Sequence, residues 1–396
     1  MEILTASWVV PVTGPPLRNG RVAVAGGCVR WVGRAGDAEE SEAPVRDLGT
    51  GVLLPGLVNA HCHLELSHLE GEVPFEGGFA AWVERVVQSR GRYGDVEVRA
   101  AVARALRFIG ERGTAAVGDV SNTLAHLDLL VASGLRAVVY LELLAWDPAT
   151  AEATVAKGRE RIAAAAGLAS RVDLRLGAHA LHSVSPALLQ LLVKDGGPAA
   201  LHLAESPDEV RFLVDGGGEW AAFLERRGLG HVAFEPPGRS PVAYVDGLGA
   251  LHSRLVAAHA VQVDETDRRI LASRGVHVVL CPRSNRNLGV GRADVPALVS
   301  AGVRLSLGTD SLASVETLDV LDDAVLVSRQ FPSLPKAEIV RMATRGGAEA
   351  LGLDDLGALA PGMAATLAFA PAARVPNDPC AFLLSGEARL ERVEVA

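Results

Sequence analysis

Lysine is nearly absent from this 396-residue chain: Lys157, Lys194 and Lys336 are the only three, so the 38 basic residues are almost all arginine. Aromatic residues are scarce as well, at 4%, so a large core has to be built from Ala, Val and Leu, which the 49% apolar content allows. The four cysteines (Cys28, Cys62, Cys281, Cys380) show neither CxxC spacing nor the density of a disulfide framework, which fits a reducing compartment. No apolar run approaches the ~18 residues of a membrane span. Met1-Glu2 opens no charged-then-apolar leader. The expectation is therefore a soluble, cytoplasmic protein with no membrane partner. A basic block is also missing, and the net charge is −9, which argues against a nucleic-acid footprint. A small anionic ligand stays open, because one local arginine can hold it.

What is present is an alternation of short apolar runs and helical patterns. Candidate strands are Val52 to His61, Thr114 to Asp119, Arg136 to Leu143, Asp173 to His179, Ala199 to Leu203, Leu255 to Ala260, Val276 to Cys281 and Val303 to Leu307. Helical stretches such as Val98 to Arg112 and Ala151 to Ala166 lie among them. Eight such units in about 300 residues predict an α/β fold of the (β/α)8 barrel type. A doubly wound sheet is the alternative, but it brings the first, fifth and eighth strands together poorly. Both ends of the chain read differently. Short strands and turns up to about residue 54, with Gly26-Gly27 as a hairpin signal, match strand-like runs beyond Gly357. This predicts a composite β-sandwich domain from residues 1–54 and 357–396, around a catalytic barrel of 55–356.

The ends of the predicted strands carry chemistry. In Asn59-Ala60-His61-Cys62-His63 the two histidines are i and i+2 on a strand, so both point to one face while Cys62 turns away. Alone, that pattern is a weak metal signal. His202 ends the fifth strand and Asp310 follows the eighth, and a parallel barrel opens all strand C-termini on one face. Three imidazoles and a carboxylate suit one borderline divalent ion, zinc or ferrous iron, with zinc expected. The predicted fourth strand contains no lysine that could bridge a second ion. Glu205, three residues past His202, can lean toward such a centre, although a solvated glutamate opening a helix is the commoner case for that local sequence. His259 and His179 end apolar strands, where core histidines are equally common; their shared face lifts them. His182 is favoured as packing, and His68, His126, His231, His252 and His277 read as ordinary surface or packing residues.

Pro55 to His63, His202-Leu203-Ala204-Glu205, Ala258-His259 and Leu307-Gly308-Thr309-Asp310-Ser311 together resemble the amidohydrolase superfamily, in its branch of metal-dependent aminohydrolases. Ala343 to Ala350 resembles the start of that family's last helix. His63-Leu64-Glu65-Leu66-Ser67 and Cys281-Pro282-Arg283-Ser284-Asn285 most resemble the aminodeoxyfutalosine deaminase subgroup, which serves the futalosine route to menaquinone. The chain departs from the family pattern at Thr366, where an aspartate is usual, and at Gln262, where many relatives have a second histidine.

The resemblance implies hydrolytic deamination of an aminopurine nucleoside. His61, His63, His202 and Asp310 would hold the metal, and Glu205, His259 and Asp310 would be catalytic. His179, Glu65, Ser67, Arg283 and Ser314 are expected to contact substrate, with Arg283 or Arg286 pairing with a benzoate through a two-pronged guanidinium contact. The expected partner is a small-molecule substrate; a homodimer is compatible with the sequence but not read from it. Glu70 to Arg92 is long enough to form a lid. Two rivals remain: a hydrolase of another nucleoside, a pterin or a chlorinated triazine, and a non-catalytic binding member of the fold.

Overall fold

A computed structural model of the chain describes residues 1–37, 43–165, 167 and 172–395. Eight parallel strands form two half-barrels of four. The first half is Leu57–Cys62, Thr114–Ser121, Arg136–Leu143 and Val172–Ala178. The second is Ala200–Leu203, Val256–His259, His277–Leu280 and Arg304–Leu307. Parallel bridges between Cys62 and Asp310, and between Ala180 and His202, close the two halves on each other. Thr309 and Asp310 donate their N–H groups to the His61 carbonyl at 3.0 and 3.1 Å, and His202 donates to that of His179 at 2.8 Å. The seams of the barrel thus run through the residues singled out for chemistry.

Strand ends and helix starts follow local rules. Ser185-Pro186, Ser206-Pro207 and Ser240-Pro241 each open a helix. In all three the serine side chain accepts a backbone N–H of the first turn, and proline stands where no donor is needed. The predicted helix at Val98 to Arg112 spans Asp95–Glu111. That at Ala151 to Ala166 runs Ala151–Ala165, and Ala166 lies outside the described residues. The helical run that holds Ala343 to Ala350 starts at Lys336, after Pro335, so that stretch falls inside the run rather than at its start, and a short helix at Pro379–Leu383 follows.

The stretch Val52 to His61, expected as one strand, is two. Gly51–Pro55 pairs antiparallel with Leu367–Pro371 in a separate seven-stranded sheet, and Leu57–Cys62 enters the barrel. The switch occurs at Gly56, where a Cβ would stand 2.7 Å from that of Ala115. The separate sheet also holds Glu2–Val9, Leu17–Ala25, Cys28–Arg34, Val45–Asp47 and Glu391–Val393, so strands of both termini build a domain of their own. Its core gathers Leu4, Val9, Val22, Leu53, Leu367 and Phe369. Among the described residues no helix is long and apolar enough to cross a membrane.

Candidate metal centre and active site

His61 and His63 leave the first barrel strand toward the lumen, and Cys62 turns outward into a cluster with Leu64, Val117 and Val139. Gly308 lets the eighth strand approach, since a Cβ there would lie 2.7 Å from the His61 carbonyl oxygen. The ligand atoms of His61, His63 and His202 all lie within 4.8 Å of one another. Asp310 Oδ1 is 3.4 Å from His63 Nε2 and 3.9 Å from His61 Nε2. Its Oδ2 accepts the hydroxyls of Ser284, at 2.5 Å, and Ser314, at 3.1 Å. The carboxylate is therefore turned so that one oxygen faces the histidines.

Two of the imidazoles are oriented by their far nitrogens, as metal-ligating histidines commonly are. His202 Nδ1 is 3.1 Å from the His179 carbonyl, to which it donates, leaving Nε2 for the centre. His259 Nδ1 meets Asn285 Oδ1 at 2.9 Å, so its Nε2 faces Glu205 Oε1 at 3.6 Å. Buried His61 Nε2 has no hydrogen-bond partner, and an orphaned ring nitrogen among imidazoles and a carboxylate is what a divalent ion satisfies. Burial, then the neighbouring His63 and His259, holds His61 well below the usual imidazole range; burial, then His61, does the same to His202. Neutral imidazole is the form that ligates a metal. The donor set therefore fits a divalent cation. Cys281 lies near His61 and His259 as well, and burial pushes its thiol well up.

Glu205 is 5% exposed. Burial, then Asp310 and Glu209, pushes its carboxyl well above the usual range. Glu209, one helical turn on, accepts the backbone N–H groups of Ala204 and Glu205 at 3.1 and 2.9 Å and so fixes the turn that aims Glu205. The two carboxyls beside the histidines are thus held differently. Glu205 favours its proton, and Asp310 is hydrogen-bonded by two hydroxyls as an acceptor.

A cleft of about 330 Å³ opens above this centre, a size that takes a small molecule. His63, His179, His202, Glu205, His259 and Asp310 form its floor. Much of the roof is the helix Phe79–Arg90, within the stretch expected as a lid, which contributes Phe79, Trp82, Val86 and Arg90.

Of the five expected substrate contacts, His179 lines the cleft and the other four do not. Glu65 stands behind the wall, accepting from Arg90, Ser121, Asn122 and Thr123. Ser67 is buried with an unpartnered hydroxyl, and Ser314 serves Asp310. Arg283 is the clearest correction. Its guanidinium donates to Asp323 at 2.8 and 2.9 Å, to Thr317 and to the Asp319 carbonyl, so it is fully occupied away from the cleft. Asp323 is close enough to capture it because Cys281-Pro282 turns the chain into a short helix facing Val320–Gln330. Arg286, its alternative, points to Asn287 and does not line the cleft.

Residues that the motifs did not flag take these places. Arg90, Asn122, Glu142, Trp82, Trp146 and Arg227 line the cleft. Glu142 lies at the end of a strand, as the flagged histidines do, and that rule alone would have found it. His126, expected to be ordinary, is 2% exposed and bonds Asp119, whose other oxygen accepts Leu64 N–H just past His63. His182 stacks on Trp220 with ring centroids 3.4 Å apart and also borders the cleft. Gln262 donates to the Val290 carbonyl, away from the centre.

Comparisons with known proteins place the chain in a family. The model of the amidohydrolase family matches residues 52–384. The chain is 34% identical to an aminodeoxyfutalosine deaminase of Deinococcus radiodurans, over 89% of this chain and 86% of that protein. It is 31% identical to a 5-methylthioadenosine/S-adenosylhomocysteine deaminase of Pelotomaculum thermopropionicum, over 92% and 83%. Among solved structures, a zinc-bound adenosine deaminase of Xanthomonas campestris superposes with a TM-score of 0.81 at 26% identity, covering 98% of this chain and 89% of that one. At the level of fold, the Helicobacter pylori aminofutalosine deaminase gives 0.83 at 24% identity, with both chains covered in full. The chain belongs to the amidohydrolase family and is a metal-dependent aminohydrolase within it.

Proposed function

We propose that this enzyme deaminates aminodeoxyfutalosine by hydrolysis, on the futalosine route to menaquinone, and that its ion is zinc. The observation that carries the reading is the pair Glu205 and Asp310 beside one histidine cluster, the first with its carboxyl pushed up by burial and the second accepting two hydroxyls. Deamination of an amidine carbon needs one carboxylic acid and one carboxylate in that arrangement. His61, His63, His202 and Asp310 would hold the ion, which when bound supplies Lewis acidity that makes water a nucleophile at neutral pH.

The chain's own residues do the rest. Glu205, its carboxyl pushed up by burial, gives a proton to the ring nitrogen beside the amino-bearing carbon. Asp310 takes a proton from the attacking water and passes it to the amino group, which leaves as ammonia. The hydroxyl proton left on that carbon returns to Glu205 as the oxo group forms. His259, its ring fixed by Asn285, steadies the developing charge. His179 and the apolar roof hold the base and exclude water. Support for the nucleoside class comes from the relatives above.

A second reading has its own observation: Val87 and Leu144, 37% and 49% exposed, make the cleft mouth apolar, which suits the methylthio tail of 5′-methylthioadenosine. Ammonia release from aminodeoxyfutalosine, 5′-methylthioadenosine, S-adenosylhomocysteine, adenosine and guanine on metal-replete enzyme decides between them. Preference for the first upholds the reading. Preference for another keeps the chemistry and removes the pathway, and no turnover of any removes both.

A further inference from the structure

Glu142 closes the third barrel strand, with its side chain 6% exposed. Its Oε2 accepts the Asn122 amide at 2.8 Å. Asn122 is itself held by Arg90, at 2.8 Å on Oδ1, and by Glu65, which accepts its backbone N–H at 2.9 Å. The carboxylate is therefore locked in place. Its other oxygen, Oε1, is buried and has no hydrogen-bond partner. His202 Nδ1 is the nearest basic atom, at 3.7 Å, but its proton goes to the His179 carbonyl. Glu142 lines the cleft beside His179, two strands round from the metal ligand His202. A buried carboxylate oxygen left without a donor is rare in native proteins unless a ligand or an ordered water supplies one, and this oxygen stands in the wall of the substrate cleft.

We propose that Glu142 recognises the vicinal diol of the substrate's sugar, its free oxygen accepting a ribose hydroxyl, and so makes the enzyme selective for ribonucleosides. The inference rests on the nucleoside reading above. A hydroxyl suits the site better than a cation, because Arg90 already places positive charge in the same wall. The position also fits. Glu142 and His179 line the same cleft as Glu205, His259 and Asp310, together with Trp82 and Trp146, so a base seated over those three would have its sugar within the same walls.

The test uses adenosine, 2′-deoxyadenosine and 3′-deoxyadenosine as substrates, or as competitive inhibitors of aminodeoxyfutalosine deamination where turnover is slow. A hydrogen bond to a charged acceptor is expected to make the wild type prefer adenosine over at least one deoxy form by about 10- to 100-fold in kcat/KM. In Glu142→Ala that ratio should fall to within about threefold, and Glu142→Gln should lie between. Because the ratio is taken within one variant, partial misfolding does not imitate the result. Metal content is measured alongside, since a residue that only positions His202 would lower it and slow all three nucleosides equally. That outcome, or a preference that survives in Glu142→Ala, overturns the inference. A wild type that handles no adenosine-like nucleoside overturns the function itself, whereas one that is active without ribose preference overturns only the role of Glu142.

Discussion

Glu209→Gln separates two things that a buried carboxylate does beside this centre. Glu209 is 1% exposed. Burial raises its carboxyl from the ordinary 4.5 to about 7, against the opposing pull of the N–H groups of Glu205 and Ala204. Its folded pKa is therefore above its unfolded one. The stability it lends is fully present below pH 4.5 and is lost as pH rises through 7. At 1.36 kcal/mol for each pH unit the whole effect is about 3 kcal/mol, of which about 2–3 kcal/mol falls between pH 5 and pH 8. Glutamine does not ionise, so the variant should lack this slope.

The amide carries a second consequence. Both oxygens of Glu209 accept backbone N–H groups, so in either flip a glutamine NH2 meets one of those donors. That leaves a buried N–H unpaired, at a cost of about 1–3 kcal/mol, next to the residue proposed to protonate the substrate. Urea unfolding of metal-replete wild type and variant at pH 5 and pH 8 reads the first effect, and kcat at pH 7 reads the second. The variant should be the less stable protein at pH 5 and should gain about 2–3 kcal/mol on the wild type by pH 8, with kcat reduced at pH 7. Stability curves that stay parallel over that range would refute the reasoning.

Asp310→Asn should lower kcat by at least about a thousandfold, and retained turnover in metal-loaded protein would sink the proton-transfer scheme. Arg283→Met leaves Asp323 buried and unpaired, so unfolding experiments should find about 3–5 kcal/mol lost. KM for carboxylated and uncharged nucleosides should then move together, and a rise confined to the carboxylated ones would return Arg283 to the substrate. His126 is raised overall, because although burial pulls it down, the Asp119 charge and hydrogen bond outweigh that pull. Its stabilisation is present below about pH 6.5 and fades at higher pH, so a His126→Ala variant should lose most relative to wild type at pH 6 and least at pH 9. A gap in melting temperature that does not narrow would count against a charged His126.

The metal-ligand candidates were legible because one rule covers them: a side chain at the C-terminal end of a parallel barrel strand faces the same opening as every other. His61 and His63 obey the i, i+2 alternation within one strand, and His202 and Asp310 follow from strand counting. Substrate contacts were harder to read, for two physical reasons. Arg283 has a planar fork that binds any carboxylate, and a motif does not reveal that Asp323, forty residues on, reaches it first. The cleft wall is built by long-range contacts between connecting segments: Arg90 from a roof helix, Asn122 past the second strand, Trp146 past the third. No local periodicity encodes such a meeting. The split of Val52 to His61 was hidden because apolar strands of two sheets abut with only Gly56 between them, and periodicity does not register a change of sheet.

Backbone strain shows why the barrel alone does not make the site. Among the described residues seven non-glycines have positive φ, and four stand on the catalytic face: Ala204 at 53°, His259 at 76°, Ala260 at 44° and Asp310 at 67°. Each such residue costs about 1–2 kcal/mol. A strand that simply continued would alternate its side chains between lumen and helices, and these left-handed turns interrupt the alternation just where the chemistry has to face inward. The compensation is visible beside each turn. The Asp310 N–H is taken by the His61 carbonyl, that of Ala260 by Leu203, and those of Ala204 and Glu205 by Glu209. The residues that orient the reactive groups are thus the partners that make strained turns tolerable. The same logic explains why Ser284, Asn285 and Glu209, which do not line the cleft, are arranged as tightly around it as the groups that do.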